Sequence, residues 1–125
     1  MQPRWSVVVV VSNGEHILAV ARGFDPKDIN LPGGNDLEDD KTPIETLRRV
    51  VPETTGIVVR SYHRMDTWKG DMSQPVYAFF VPKWSGKPHS SSAGKTFWAK
   101  PQQLVAESAT FAPHNKRLLK TLMRV

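Results

Sequence analysis

The chain has 125 residues, of which 39% are hydrophobic and 23% charged, a balance that suits one compact domain over residues 1–125 and excludes wholesale disorder. It contains no cysteine, which excludes a disulfide framework, a thiolate metal site and a cysteine nucleophile. A net charge of +5 and an isoelectric point near 9.7 favour anionic partners, with nucleotides and phosphorylated metabolites expected ahead of nucleic acid.

The first element is "WSVVVVVS", residues 5–12, a β-branched run too apolar for an exposed edge and therefore expected as a buried strand. It is too short for a signal segment or a membrane span, so a cytoplasmic protein with no membrane association is expected. Asn13-Gly14 carries a hairpin-turn signal, and "HILAVARG", 16–23, is expected to pair back onto the first strand. The polar loop that follows ends in "NLPGG", where Pro32 stiffens the chain and Gly33-Gly34 admits dihedrals that other residues avoid.

A helix is expected over residues 43–54. Thr42 is a suitable N-cap, Pro43 fits the first helical position, and Glu45 completes a capping box with Thr42. Ile44, Leu47 and Val51 fall at helical spacing as the core stripe, with Val50 beside it. Pro52 removes one backbone donor in the last turn. Either the helix kinks there or it stops near Val51 and leaves Glu53 in a solvated turn. Thr55-Gly56 stops the helix, and residues 57–68, 75–84 and 95–100 read as further strands, with the Gly/Pro/Ser-rich 85–94 as a turn. Residues 114–123 read as an amphipathic helix burying Leu118, Leu119 and Leu122 and presenting Lys116, Arg117, Lys120 and Arg124 as a basic face.

The chemistry-bearing residues cluster in "LPGGNDLEDDKTPIETLRRVVPETTGI", 31–57. A glycine turn, an acidic loop (Asp36, Glu38, Asp39, Asp40) and an amphipathic helix follow one another. Glu45, Arg49 and Glu53 lie four residues apart and suit an exposed salt ladder, while Arg48 and Arg49 also suit contact with phosphate oxygens. The acidic loop is either a solvated loop or a source of cation ligands. The four histidines, His16, His63, His89 and His114, are scattered, with no pair at metal-ligand spacing on one helix face. Of Trp68, Tyr77, Phe79, Phe80 and Trp98, one or two are expected in a ligand pocket and the rest in the core.

This stretch, about a fifth of the chain, resembles the Nudix box, G-x5-E-x7-R-E-U-x-E-E-x-G-U with U a bulky aliphatic. The matching residues are Leu31-Pro32-Gly33-Gly34, Thr42-Pro43, a mid-helix arginine, Glu53 and Thr55-Gly56-Ile57. The resemblance implies an α/β (α+β) fold, a Nudix-like α/β/α sandwich with a mixed sheet. It also implies metal-dependent hydrolysis of a nucleoside-diphosphate derivative, with Mg²⁺ or Mn²⁺ held by helix glutamates and a turn carbonyl, here that of Gly33. Two frames are open. Counted forward from Gly34, Asp40 is the loop acid and Arg48 the box arginine. Counted back from Gly56-Ile57, the box arginine is Arg49, the next position is Val50, and the adjacent glutamates become Glu53 and Thr54. The second frame keeps Thr42-Pro43 and the helix end aligned, at the cost of one residue inserted near Asn35.

In either frame Glu53 alone remains of the paired glutamates, so it is the expected catalytic residue. Glu53, Gly33, Asp40 and Glu38 are the candidate metal ligands, and Gly33, Gly34, Arg48 and Arg49 the candidate ligand-binding residues. The expected function is binding of a nucleoside-diphosphate-type small molecule by a monomer or homodimer, with hydrolysis weak or lost. An active Mg²⁺- or Mn²⁺-dependent hydrolase using non-consensus acids, and a non-catalytic interaction module with a basic C-terminal helix, are the alternatives. In the first two cases a divalent cation is the cofactor only where activity survives.

Overall fold

In the computed structural model, which describes residues 2–25, 28–104 and Lys116, Leu118 and Lys120, the valine run forms β1 (Ser6–Val11). Val7, Val9 and Val11 face one apolar cluster and Val10 faces another. That explains the unbroken apolar run, because a strand covered on both faces has no side that needs to be polar. After β1 come β2 (Ile17–Arg22), β3 (Ile29–Asn30), β4 (Gly33–Asn35), α1 (Pro43–Thr55), β5 (Val58–Lys69), β6 (Pro75–Ser85), β7 (Gly94–Ala99) and the short α2 (Pro101–Leu104).

The strands form two sheets. One is mixed, in the order β4-β1-β6-β5, with β1 parallel to β6 and antiparallel to β4; the other is β3-β2-β7, antiparallel throughout. The expected β1–β2 hairpin is therefore corrected. Asn13-Gly14 does turn the chain, with Gly14 at φ 106°, but only a Ser12–Ile17 bridge joins the two runs. Past it β2 diverges into the second sheet, where β3 and β7 take its hydrogen bonds. The turn residues read correctly; the pairing partner was a long-range matter that local chemistry does not encode.

Leu47 and Val51 of α1 pack with Val7, Val9, Val11, Phe79 and Val81 of the mixed sheet. The second cluster gathers Val10 and Ala78 of that sheet with Ile17, Ala19, Ile29 and Ala99 of the other, closed by Leu104 and Leu118. The result is a mixed α+β fold. Leu118 is buried while Lys116 and Lys120 are helical and exposed; the rest of the expected 114–123 helix lies outside the described residues.

α1 runs through Pro52 to Thr55, so the expected stop near Val51 is corrected and Glu53 lies within the helix. Proline sits in the last turn, where its missing donor removes a single intrahelical bond, and the turn is closed by other groups. The Thr55 hydroxyl donates to the Val51 carbonyl at 2.7 Å, and the N–H of Gly56, left-handed at φ 83°, donates to the Pro52 carbonyl at 2.9 Å. The N-terminus is capped as its sequence predicts. The Glu45 N–H donates to the Thr42 hydroxyl at 3.3 Å, and the Glu45 carboxylate accepts from the Lys41 N–H at 2.9 Å. Caps of this kind are each worth about 1 kcal/mol.

Candidate active site

Gly33 and Gly34 lie on β4, opposite Val8 and Val7 of β1. A side chain at Gly33 would place its Cβ 2.5 Å from the Val7 carbonyl oxygen, and one at Gly34 would lie 3.1 Å from a Val50 methyl. Glycine is therefore required at Gly33 by close backbone approach, and at Gly34 the helix packs directly onto the turn. Val50, 4% exposed, is the residue that makes this contact. The face of α1 turned to the glycine turn is thus hydrocarbon at Val50, the position after the box arginine in the frame counted back from Gly56.

The two arginines diverge. Arg48 lies over the Tyr62 ring, 5.7 Å from its centroid. Arg49 turns toward the glycine turn and the acidic loop: Nη2 donates to the Asn35 carbonyl at 3.0 Å and to Asp40 Oδ2 at 2.9 Å, and Nη1 donates to Glu53 Oε2 at 3.2 Å. Arg49, not Arg48, is therefore the arginine turned toward the glycine turn and the acidic loop. The salt ladder expected from spacing exists only in its second rung, Arg49–Glu53; Glu45 serves the N-cap.

Asp40 is the organising acid of this region, and it is 7% exposed. Its Oδ2 accepts from the Leu37 N–H at 2.9 Å, the Thr46 hydroxyl at 2.8 Å and Arg49; Thr46 in turn accepts from the Trp5 indole N–H at 2.9 Å. The Arg49 hydrogen bond holds the Asp40 carboxyl down at about 2, against the upward push of burial, with the Leu37 and Thr46 donors helping. The same bond pushes Arg49 above its ordinary value, again against burial. From the other side Arg4 grips the loop. Its Nε donates to Asp36 Oδ2 at 2.5 Å, and Nη2 donates to the carbonyls of Leu37 at 2.9 Å and Asp40 at 2.7 Å. Two of the loop's four acids, Asp36 and Asp40, are thereby paired with arginine, while Glu38 and Asp39 are exposed.

Beside the glycine turn are two recesses. The larger, about 710 Å³, runs along β1, β3 and β4 to the β5–β6 turn, with Trp68, Lys69, Asp71 and Gln74 on its far wall. The smaller, about 270 Å³, lies between Arg22, Pro32, Thr54 and Ala93. Arg22, Asn30, Leu31 and Gly33 line both. Asn30 is 3% exposed; its Nδ2 donates to Asp28 Oδ1 at 2.9 Å, and its Oδ1 is buried with no hydrogen-bond partner. An unmatched buried acceptor of this kind costs about 1–3 kcal/mol and often marks a functional position.

Of the residues singled out in the sequence, Gly33 and Gly34 line the larger recess, and Trp68 is the aromatic that joins them there. Arg49, Asp40 and Glu53 come together beside the turn, as one ion-paired cluster. Glu53 has a side chain 63% exposed and Glu38 is exposed; neither they nor Asp40, Arg48 or Arg49 line either recess. Among the described residues no group of three His, Asp or Glu side chains is placed to share a metal ion. Asn30, Arg22, Arg4 and Thr46 were not singled out from sequence. Asn30 alone carried a signal: a polar residue between Ile29 and Leu31, directly before the glycine turn.

Comparison with known proteins completes the description. A family model, the NUDIX domain, matches residues 2–122. An 8-oxo-dGTP diphosphatase of Haemophilus influenzae is 26% identical over 98 residues, covering 76% of this chain and 70% of that protein. Among solved structures, the NUDIX domain of Shewanella oneidensis NrtR complexed with ADP ribose superposes with a TM-score of 0.76 at 16% identity, covering 99% of this chain and 88% of that one. A MutT NUDIX hydrolase of Burkholderia pseudomallei superposes at 0.74 with 20% identity, covering 100% and 99%. A MutT protein of Bacillus halodurans gives 0.74 at 18% identity, covering 92% and 79%.

Proposed function

This chain belongs to the NUDIX-domain family, and from that premise we propose that it binds a nucleoside-diphosphate-type ligand in the recesses beside Gly33 while hydrolysing it poorly or not at all. The ligand class rests on the family, on a relative named as a diphosphatase of 8-oxo-dGTP, and on a fold neighbour bound to ADP ribose. The larger recess, about 710 Å³, lies within the ~300–1,000 Å³ usual for small-molecule sites.

The observation that carries the loss of hydrolysis is Val50, buried against Gly34. Magnesium and manganese demand hard oxygen donors, several of them charged, converging on one point. The helix offers hydrocarbon at Val50 and a hydroxyl at Thr54. Its one remaining carboxylate, Glu53, is bonded to Arg49. Asp40 is engaged by three donors on one oxygen and Glu38 stands in the solvated loop. This donor set does not fit the family's divalent cation. What the residues do fit is binding: a glycine turn that lets a ligand approach the backbone, an aromatic wall at Trp68, a buried acceptor at Asn30 and a cation at Arg22.

The test is a panel of nucleoside diphosphates, triphosphates and diphosphate-linked sugars. Release of nucleoside monophosphate is measured with and without Mg²⁺ or Mn²⁺, alongside equilibrium binding of the same compounds. Binding with little or no release supports the reading. Rapid metal-dependent release would overturn it in favour of a hydrolase built on Glu53 with Asp40 or Glu38.

A further inference from the structure

Resting on that reading of the ligand class, we propose that Arg22, rather than a divalent cation, neutralises the ligand's phosphates, so that binding is metal-independent. The two recesses meet along four shared residues, and Arg22 is the one charged side chain among them. In the smaller recess Arg22 is the sole ionisable lining group among the described residues; in the larger, Lys69 and Asp71 are the others. The walls therefore carry two cations against one acid. No acid of the box helix or of the 36–40 loop reaches them. A space with this lining attracts an anion and does not hold a metal ion.

Arg22 is also built to grip. Its backbone is fixed at the end of β2: its N–H donates to the Asp28 carbonyl at 2.9 Å, and it pairs with Gly94 of β7. Its side chain is 54% exposed, and its ion pair with Asp28 is long, at 3.9 Å. Asp28 meanwhile accepts from the Asn30 amide, so its charge is shared. A guanidinium on a rigid strand end, loosely paired and facing a recess, offers its planar fork of N–H donors to phosphate oxygens. The smaller recess suits the phosphates and the larger suits the nucleoside, with Arg22 and Asn30 at the junction. The Arg49 guanidinium lines neither recess; its Nη1 and Nη2 are bonded to Glu53, Asp40 and the Asn35 carbonyl, and its Nε is buried without a partner.

The experiment uses the full chain in low salt with EDTA and compares ADP with adenosine, and GDP with guanosine, by calorimetric titration. The wild type is expected to bind the diphosphates with affinities that change less than about twofold when Mg²⁺ replaces EDTA. Its affinity should fall as salt is raised. Arg22→Gln is expected to lose at least tenfold in diphosphate affinity while leaving the nucleoside affinity unchanged. Arg22→Lys, which keeps the charge and loses the fork, is expected to fall between the two. Diphosphate binding that appears only with Mg²⁺ or Mn²⁺, or an Arg22→Gln protein that binds diphosphates as the wild type does, would overturn the proposal. In both cases the ligand class would stand. A wild type that binds none of the four compounds, with or without metal, would overturn the ligand class and Arg22's role together.

Discussion

Replacing Asp40 by Asn removes the charge around which the loop and the helix are arranged, and the structure sets the size of the effect. The Asp40 carboxyl is held at about 2, against an ordinary 3.8, chiefly by Arg49. Each tenfold difference is ~1.4 kcal/mol, so the folded chain gains roughly 2 kcal/mol from this carboxylate. Salt and the partly exposed Arg49 side chain make that an upper figure. Because the folded value is depressed, the contribution is fully present above pH 3.8 and is lost as pH falls toward about 2. In Asp40→Asn the amide oxygen can still take the place of Oδ2, so the Leu37 N–H, Thr46 and Arg49 keep an acceptor but lose its charge. Urea unfolding at pH 7 should show Asp40→Asn less stable by about 1–2 kcal/mol, with a melting point lower by roughly 3–6 °C. The gap should narrow between pH 4 and pH 2. A variant as stable as the wild type at pH 7, or a gap that is constant down to pH 2, would refute the role given to Asp40.

Other positions give similarly direct tests. Val50→Glu with Thr54→Glu restores carboxylates on the helix face beside Gly33. The double variant should lose about 2–4 kcal/mol of stability for the buried charge at Val50 and gain Mn²⁺ binding measurable by paramagnetic titration; a folded double variant with no gain would mean that the helix face is wrongly placed. Gly56→Ala forces a side chain into a left-handed residue and into the His89 ring, so thermal melting should report a loss of at least ~1–2 kcal/mol. Gly33→Ala would collide with the Val7 carbonyl and should abolish ligand binding while also lowering the melting point, since β4 must part from β1. Thr46→Val removes the hydroxyl that links the Trp5 indole to Asp40; chemical unfolding should show a loss of about 1–3 kcal/mol, the cost of leaving a buried partner unmatched.

The local signals were the legible ones. Thr42, Pro43 and Glu45 marked the helix start, and Gly56 marked its end, because capping is a matter of residues within one turn. The five valines announced a buried strand, because so apolar a run does not suit an exposed edge. The strand pairing was not legible from Asn13-Gly14, since a turn fixes a reversal of direction and not which sheet the next strand joins. For a related reason Pro52 did not end the helix: the turn that follows it is closed by the Thr55 hydroxyl on the Val51 carbonyl and by the Gly56 N–H on the Pro52 carbonyl. At the site, spacing exposed what the helix lacks at Val50 and Thr54. It did not expose what the fold adds. Arg22 and Asn30 reach the recess from β2 and β3, and Arg4 reaches the acidic loop from the segment before β1. No periodicity connects those residues, and it is the strand pairing that brings Arg22 and Asn30 beside Gly33.

One paired measurement separates metal-independent binding from hydrolysis most directly: equilibrium affinity and turnover of the same nucleoside diphosphate on the same protein preparation, in EDTA and in saturating Mn²⁺. The structure predicts binding in both conditions and negligible release of nucleoside monophosphate in either. Affinity that depends on Mn²⁺ and is accompanied by steady turnover would contradict it, and would mean that Glu53 leaves Arg49 to hold a metal ion.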